Sequence, residues 1–289
     1  MYPGTTLRTR VEARSGLLVP RAAHALAASV TETLGFDALY LDAEGLQGWG
    51  AAAMGPGASP PLIRRVAASR AVTRIPIVVD GGVCGDTGWD IKKTVRAIED
   101  AGANALFLHD RSSLGADGDG GDDRGVRHDR TAARMVEAVQ AAVDARRRRD
   151  FLIIATTVRP VSGLEQALDR SRAYAAAGAD LGFVRRPRGS DELQRIACHT
   201  TTPQVVDAFS DAQAPRPGGG ALSLMGFGLV LWGPRRRNVR FGTWEWSLQN
   251  ADPVRSLLED AAWAAQAAGR SGPHAAASRV LAALDRVLV

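Results

Sequence analysis

Short runs of Val, Ile and Leu alternate along this chain with longer stretches whose apolar residues recur every three or four positions. Apolar strands are expected at 17–19, 37–42, 77–80, 105–109, 151–155, 181–184, 204–207 and 228–232. Those runs are nearly continuous rather than alternating, as in parallel strands buried on both faces. The intervening segments read as helices. One covers 21–34 and stops at Gly35; one covers 60–72, with Pro60 and Pro61 in its first turn; one covers 90–101 and stops at Gly102. A fourth covers 131–145, with Ala132, Met135, Val136, Val139 and Val143 on one face. The others are 163–177, stopped by Gly178, 191–197, capped by Ser190, and a stunted 221–225. Eight strands alternating with helical segments predict an α/β fold, a (β/α)8 TIM barrel.

Beyond the eighth strand the pattern changes. Val254, Leu257, Leu258 and Ala261 form one apolar helical stripe, and Val280, Leu284, Val287 and Leu288 another. The division expected is a barrel over 1–250 and a C-terminal helical extension over 251–289. Both stripes need a surface to cover them, so a homo-oligomer, dimer or tetramer, is expected. Trp244 and Trp246 are read as packing against these helices.

Composition narrows the function. With 289 residues, 45% of them hydrophobic, the chain can bury one large core. No apolar run is long enough for a membrane span and the N-terminus lacks signal-peptide order, so a cytoplasmic protein without a membrane partner is expected. Cys84 and Cys198 do not make a disulfide framework. The net charge is +5, but the excess is almost all Arg and no nucleic-acid-binding motif accompanies it. A small anionic substrate is the better match for that field.

The candidate chemistry centres on residues 76–90. Asp80 ends a buried strand, and Gly81, Gly82, Gly85 and Gly88 follow in a loop ahead of a helix. A carboxylate at the C-terminal tip of a barrel strand is the usual site of barrel chemistry. It can also hold a divalent cation, or simply cap loop amides. His109 and Asp110 end the fourth strand, and Asp42, Asp86 and Asp207 lie at or past other tips. Arg159 and Arg185 are placed to offset these carboxylates or to bind an anion. Cys84, in the glycine loop, reads as a packing residue rather than a nucleophile. The Gly- and Asp-rich loop 110–129 reads as a mobile lid, with Gly115, Gly118, Gly120, Gly121 and Gly125 as hinges. It is not a calcium loop, since position twelve from Asp117 is His128 rather than Glu.

Five segments occur in order at a telling spacing: 35–40 (GFDALY), 75–80 (IPIVVD), 94–96 with 99–102 (TVR, EDAG), 150–155 (DFLIIA) and 172–180 (RAYAAAGAD). Together they resemble the isocitrate lyase/phosphoenolpyruvate mutase superfamily, over roughly residues 10–235. The resemblance implies a (β/α)8 barrel that binds Mg²⁺, or another divalent cation such as Mn²⁺, with a 2-oxo acid or its enolate at the C-terminal face. It implies helix exchange between subunits as well.

The site positions depart from the family pattern. Asp80 opens the family's Asp-x-Asp-Thr-Gly motif, but Gly82 stands at the second Asp, with Asp86-Thr87-Gly88 six residues late. His109 replaces a metal-side Glu. Thr156 replaces the arginine that grips substrate carboxylate, Arg185 replaces a Glu, and Asp42-Ala43 replaces Ser-Gly. The lyase lid cysteine is absent. The expected catalytic residues are Asp80, His109, Asp110 and Arg185. Those expected to bind substrate are Asp42, Ala43, Gly81, Gly82, Thr156, Arg159 and Asp207. The expected metal ligands are Asp80, Asp86 and His109. The resulting expectation is a divergent lyase or mutase acting on a small carboxylate through an enolate-like intermediate. The alternative is a barrel that has lost catalysis and serves as a binding or scaffolding subunit.

Overall fold

The computed structural model describes residues 3–14, 16–22, 24–33, 35–41, 60–83, 90–110, 125–160, 163–198, 200–207 and 225–232. Its elements, in order, are α1 (Pro3–Glu12), β1 (Leu17–Pro20), α2 (Ala25–Thr33), β2 (Leu39–Leu41), α3 (Pro60–Val72), β3 (Ile77–Val83), α4 (Ile91–Asp100) and β4 (Ala105–His109). They continue with α5 (Gly125–Ala145), β5 (Leu152–Val158), α6 (Glu165–Ala176), β6 (Leu181–Arg185), α7 (Gly189–Cys198), β7 (Gln204–Asp207) and β8 (Leu229–Trp232). The eight strands form one parallel sheet in the order β1-β8-β7-β6-β5-β4-β3-β2. A single bridge between Arg21 and Tyr40, with Ala22 N–H donating to the Tyr40 carbonyl at 2.8 Å, brings β1 to β2. The fold is the expected (β/α)8 barrel.

Alternation along the strands divides the core in two. Inside the barrel, Val19, Tyr40, Val78, Phe107, Ile154 and Phe183 belong to one buried cluster. Between sheet and helices, Leu41, Val79, Leu106 and Ile153 pack on α3, α4 and α5, and Val184, Val206 and Val230 on α6 and α7. Burying such a side chain is worth about 1.5–3 kcal/mol. The wall of alternating layers is therefore the main source of rigidity for whatever the strand tips carry.

Several elements differ from the sequence reading. Helix α1 was not foreseen. Its Leu7 and Val11 are buried in the interior cluster and close the end of the barrel where the strands begin. Arg8 ties it down by donating to Asp180, which also accepts from Arg146 and from the Ile153 amide. Helix α2 starts at Ala25 rather than 21, because Arg21 and Ala22 remain paired with β2. Strand β3 runs past Asp80 to Val83, and β5 runs on through the β-branched Thr156, Thr157 and Val158. Helix α5 begins at Gly125, inside the loop expected over 110–129. Ser190 lies within α7 instead of capping it. The stunted helix at 221–225, the hinge glycines at 115–121 and the extension at 251–289 lie outside the described residues, apart from residue 225.

Candidate active site

Inner-face alternation continues to the strand C-termini, so the side chains that crown the barrel follow from residues below them. Val78 is interior, so Asp80 is inner-facing on β3; Phe107 places His109 likewise on β4. Ile154 places Thr156 on β5, Phe183 places Arg185 on β6, and Val205 places Asp207 on β7. Asp80, His109 and Asp207 therefore share one end of the barrel, as the sequence predicts. His109 and Thr156 are register partners.

At the centre Asp80 and His109 are directly joined. The imidazole Nε2 of His109 lies 2.9 Å from Asp80 Oδ1. The Tyr40 hydroxyl donates to the other oxygen, Oδ2, also at 2.9 Å. Both members of the pair are largely shielded, with side chains 16% and 13% exposed for Asp80 and His109. An ionised carboxylate only accepts, so Nε2 carries the proton, and Nδ1 makes no hydrogen bond among the described residues. Beneath the pair lies an aromatic floor. Phe107 packs edge-on against Tyr40 and Phe183, with ring centroids 5.5 and 5.8 Å apart, and lies nearly parallel to the His109 ring at 6.3 Å. Such a floor excludes water and strengthens the electrostatics above it.

Local backbone geometry presents Asp80. Asp80 pairs with Phe107 and Val83 with His109, so Gly81 and Gly82 together oppose the single residue Leu108. This is a bulge, a device that re-aims a strand end. A Cβ on Gly81 would lie 2.7 Å from the Phe107 carbonyl oxygen and 2.8 Å from Leu106 Cδ1, which is why glycine occupies the position.

Thr156 offers an open polar group. It is 1% exposed, and its Oγ1 has no hydrogen-bond partner although the side chain is aimed into the crown beside His109. A buried hydroxyl left unpaired is costly unless a ligand completes it. The Arg185 guanidinium makes no ion pair among the described residues.

Other expected site residues fall elsewhere. Asp110 has the parity of Leu108 and faces α6. Its Oδ2 accepts from the Tyr174 hydroxyl at 2.7 Å, with Arg170 Nε 3.9 Å away. Arg159 is paired with Glu192 at the start of α7, its Nε 2.8 Å from Oε2, and also donates to the Pro160 carbonyl. Asp42, Ala43, Asp86 and Cys84 lie outside the described residues. Two inner-facing residues escaped the sequence reading. Tyr40 looked like one more apolar residue in its strand. Arg21 looked like the start of a helix, yet it shares the parity of Val19 at the tip of β1. Alternation along the strand is the signal that identifies both.

The described residues do not by themselves make up a cation site. Gly82 and His109 stand where the resembled motif has carboxylates, and Asp80, which remains, accepts from Tyr40 and His109, while Asp86 lies outside the described residues. No three His, Cys, Asp or Glu side chains among the described residues come together as a metal-binding group. No described helix is long and apolar enough to cross a membrane.

Comparison with known proteins follows the same outline. The family model of phosphoenolpyruvate phosphomutase matches residues 8–245. The chain is 28% identical over 241 residues to 2,3-dimethylmalate lyase of Eubacterium barkeri, covering 80% of each chain. It is 31% identical over 231 residues to 2-methylisocitrate lyase of Aeropyrum pernix, covering 74% of this chain and 68% of that one. Among solved structures, a phosphonopyruvate hydrolase in complex with oxalate and Mg²⁺ superposes with a TM-score of 0.65 at 22% identity, over 81% of each chain.

Proposed function

Since the chain belongs to the phosphoenolpyruvate phosphomutase family, we propose that its barrel mouth carries out lyase- or mutase-type chemistry on a small, carboxylate-bearing, 2-oxo-acid-like substrate. The reaction is the cleavage or making of a C–C or C–P bond through an enolate-like intermediate. One observation carries this reading: the hydrogen-bonded Asp80–His109 pair sits beside the unpaired Thr156 hydroxyl at the C-terminal end of the strands. The relatives named above are lyases and hydrolases of such carboxylates, and none supports the alternative of a scaffolding barrel without catalysis.

The residues divide the work as follows. Arg185 holds a substrate carboxylate, a charge-assisted contact stronger than a neutral hydrogen bond. Thr156 donates its hydroxyl to a substrate oxygen and thereby gains its missing partner. In a 2-hydroxy acid, His109, held by Asp80 through Nε2, takes the hydroxyl proton at Nδ1. The alkoxide closes to a carbonyl as the adjacent C–C bond breaks, and the bonding pair becomes the enolate of the other fragment, which takes the proton back from Nδ1. In a 2-oxo acid the same Nδ1 takes a C3 proton and returns it to the enolate. Tyr40 orients the carboxylate, and the Gly81–Gly82 bulge presents it. Asp207, across the mouth, sets the polarity of the far wall. Asp110, joined to Tyr174, fixes the end of β4 and so acts through His109. Each of these steps is carried by the chain's own side chains. We extend the reading to a cytoplasmic homo-oligomer joined through the apolar stripes at 254–261 and 280–288.

Proton exchange tests the proposal whichever 2-oxo acid is the substrate. Enolate formation exchanges C3 protons of pyruvate, 2-oxobutyrate or oxaloacetate for deuterium, which ¹H NMR follows directly. Exchange catalysed by the wild type and lost in His109→Gln is expected. If no 2-oxo acid exchanges and no 2-hydroxy dicarboxylate is cleaved, the proposal fails.

A further inference from the structure

We infer that the Asp80–His109 pair stands in place of a divalent cation, so that this mouth binds its carboxylate ligand without one. The inference deepens the function proposed above and rests on its placement of the site. The first argument is the donor set. Gly82 stands where the resembled motif has its second Asp, and His109 where it has a Glu. The carboxylate that remains, Asp80, already accepts from the Tyr40 hydroxyl and from the His109 Nε2–H, each at 2.9 Å, so a cation would share it with two donors in place. The second argument is ligand supply. Mg²⁺ and Ca²⁺ take six or more oxygen ligands, with one or two carboxylates as anchors. At this mouth the described residues offer Asp80, already engaged, and Asp207 four strands away around the barrel.

The third argument is charge. A carboxylate ligand still needs a positive partner, and the strand tips supply it as guanidinium. Arg185 on β6 has inner-face parity and a half-buried side chain, and it flanks the Tyr40–Asp80–His109–Thr156 arc on the β5 side. Guanidinium can grip a carboxylate bidentately, which serves the positioning purpose that a cation would otherwise serve. A substrate carboxylate bridging from Arg185 toward Thr156 would leave its reacting end above His109.

The test uses the full chain and two probes. Mn²⁺ is titrated into metal-stripped protein and followed by electron paramagnetic resonance. Oxalate binding is measured by calorimetry with and without EDTA. The expected results are no stoichiometric Mn²⁺ binding up to millimolar concentration, and an oxalate affinity that changes less than twofold on chelation. A slowly exchanging Nε2 proton, assigned to His109 among the five histidines by ¹H–¹⁵N NMR and lost in Asp80→Asn, is expected as well. One Mn²⁺ bound per chain and abolished by Asp80→Asn, or oxalate binding lost in EDTA and restored by Mg²⁺, overturns the inference. The outcomes separate from those of the functional proposal. Failure of 2-oxo-acid exchange sinks the proposed chemistry, whereas tight Mn²⁺ binding sinks only the absence of the cation.

Discussion

Replacing Tyr174 by Phe removes a single oxygen from behind the active site, and the structure sets the size of the effect. Tyr174 is 1% exposed and Asp110 5% exposed, and the phenolic oxygen lies 2.7 Å from Asp110 Oδ2. A cationic neighbour of that oxygen, Arg170 Nε, stands off at 3.9 Å, and the same guanidinium donates through Nη2 to the Val158 carbonyl at 2.8 Å. Phe keeps the ring, so no cavity opens, and what Asp110 loses is a hydrogen bond to its buried carboxylate. Such a bond is worth about 1.5–3 kcal/mol. Urea unfolding of wild type and Tyr174→Phe at neutral pH should show a destabilisation of that size with an unchanged m-value. Asp110 is covalently next to His109, and its amide donates to the Thr156 carbonyl at 3.1 Å. The 2-oxo-acid exchange rate should therefore fall several-fold in the same variant, even far below its unfolding midpoint. A destabilisation under about 0.5 kcal/mol, typical of surface substitutions, would refute the buttress. So would a double-mutant cycle with Asp110→Asn that shows no coupling between the two positions.

Three further outcomes are expected. Gly81→Ala places a Cβ 2.7 Å from the Phe107 carbonyl oxygen, and overpacking of this kind costs about 1–3 kcal/mol; thermal unfolding should show it, together with loss of exchange activity. At the start of α4, hydrogen bonds from the Lys93 amide and side chain hold the Asp90 carboxyl below the usual carboxylate range. With the folded value depressed, its contribution to stability is complete above about pH 4 and is lost as pH falls through the folded value, so Asp90→Asn should flatten the acid limb of a stability–pH curve. Light scattering should give an assembly larger than one chain, dissociated by deletion of residues 252–289, and a strict monomer at micromolar concentration would remove the proposed role of those residues.

How far the sequence led depends on which physical signal a residue carries. The strands were legible because a strand buried on both faces must be apolar throughout, and Ile77, Val78 and Val79 show this as clearly as Leu152 to Ile154 do. The position of Asp80 followed, since a carboxylate can appear only where such a strand reaches its tip. What stayed hidden was partnership. Nothing local says that Tyr40 reaches Asp80, forty positions away, or that Arg159 is taken by Glu192. Asp110 shows the limit most plainly. Strand alternation turns adjacent residues to opposite faces, so His109 enters the mouth while Asp110 points at α6. Helix α1 was missed for a different reason. PGTTLRTRVE carries only Leu7, Val11 and one threonine-rich turn, and its stability comes from plugging the barrel rather than from its own pattern.

The junction of β1 and β2 gives the barrel a place to breathe. Every other neighbouring pair of strands is laced by a ladder, while the described residues there share one bridge, Arg21 to Tyr40. Local opening draws on the free energy of the bonds it breaks, so the Ala22 amide should lose hydrogen-exchange protection well before the amides of β4 and β5. The seam is also where Tyr40 stands, with its hydroxyl on Asp80. A fluctuation that parts β1 from β2 thus loosens the carboxylate that holds His109, and slow exchange kinetics at one amide become a clock for how often the active site comes undone.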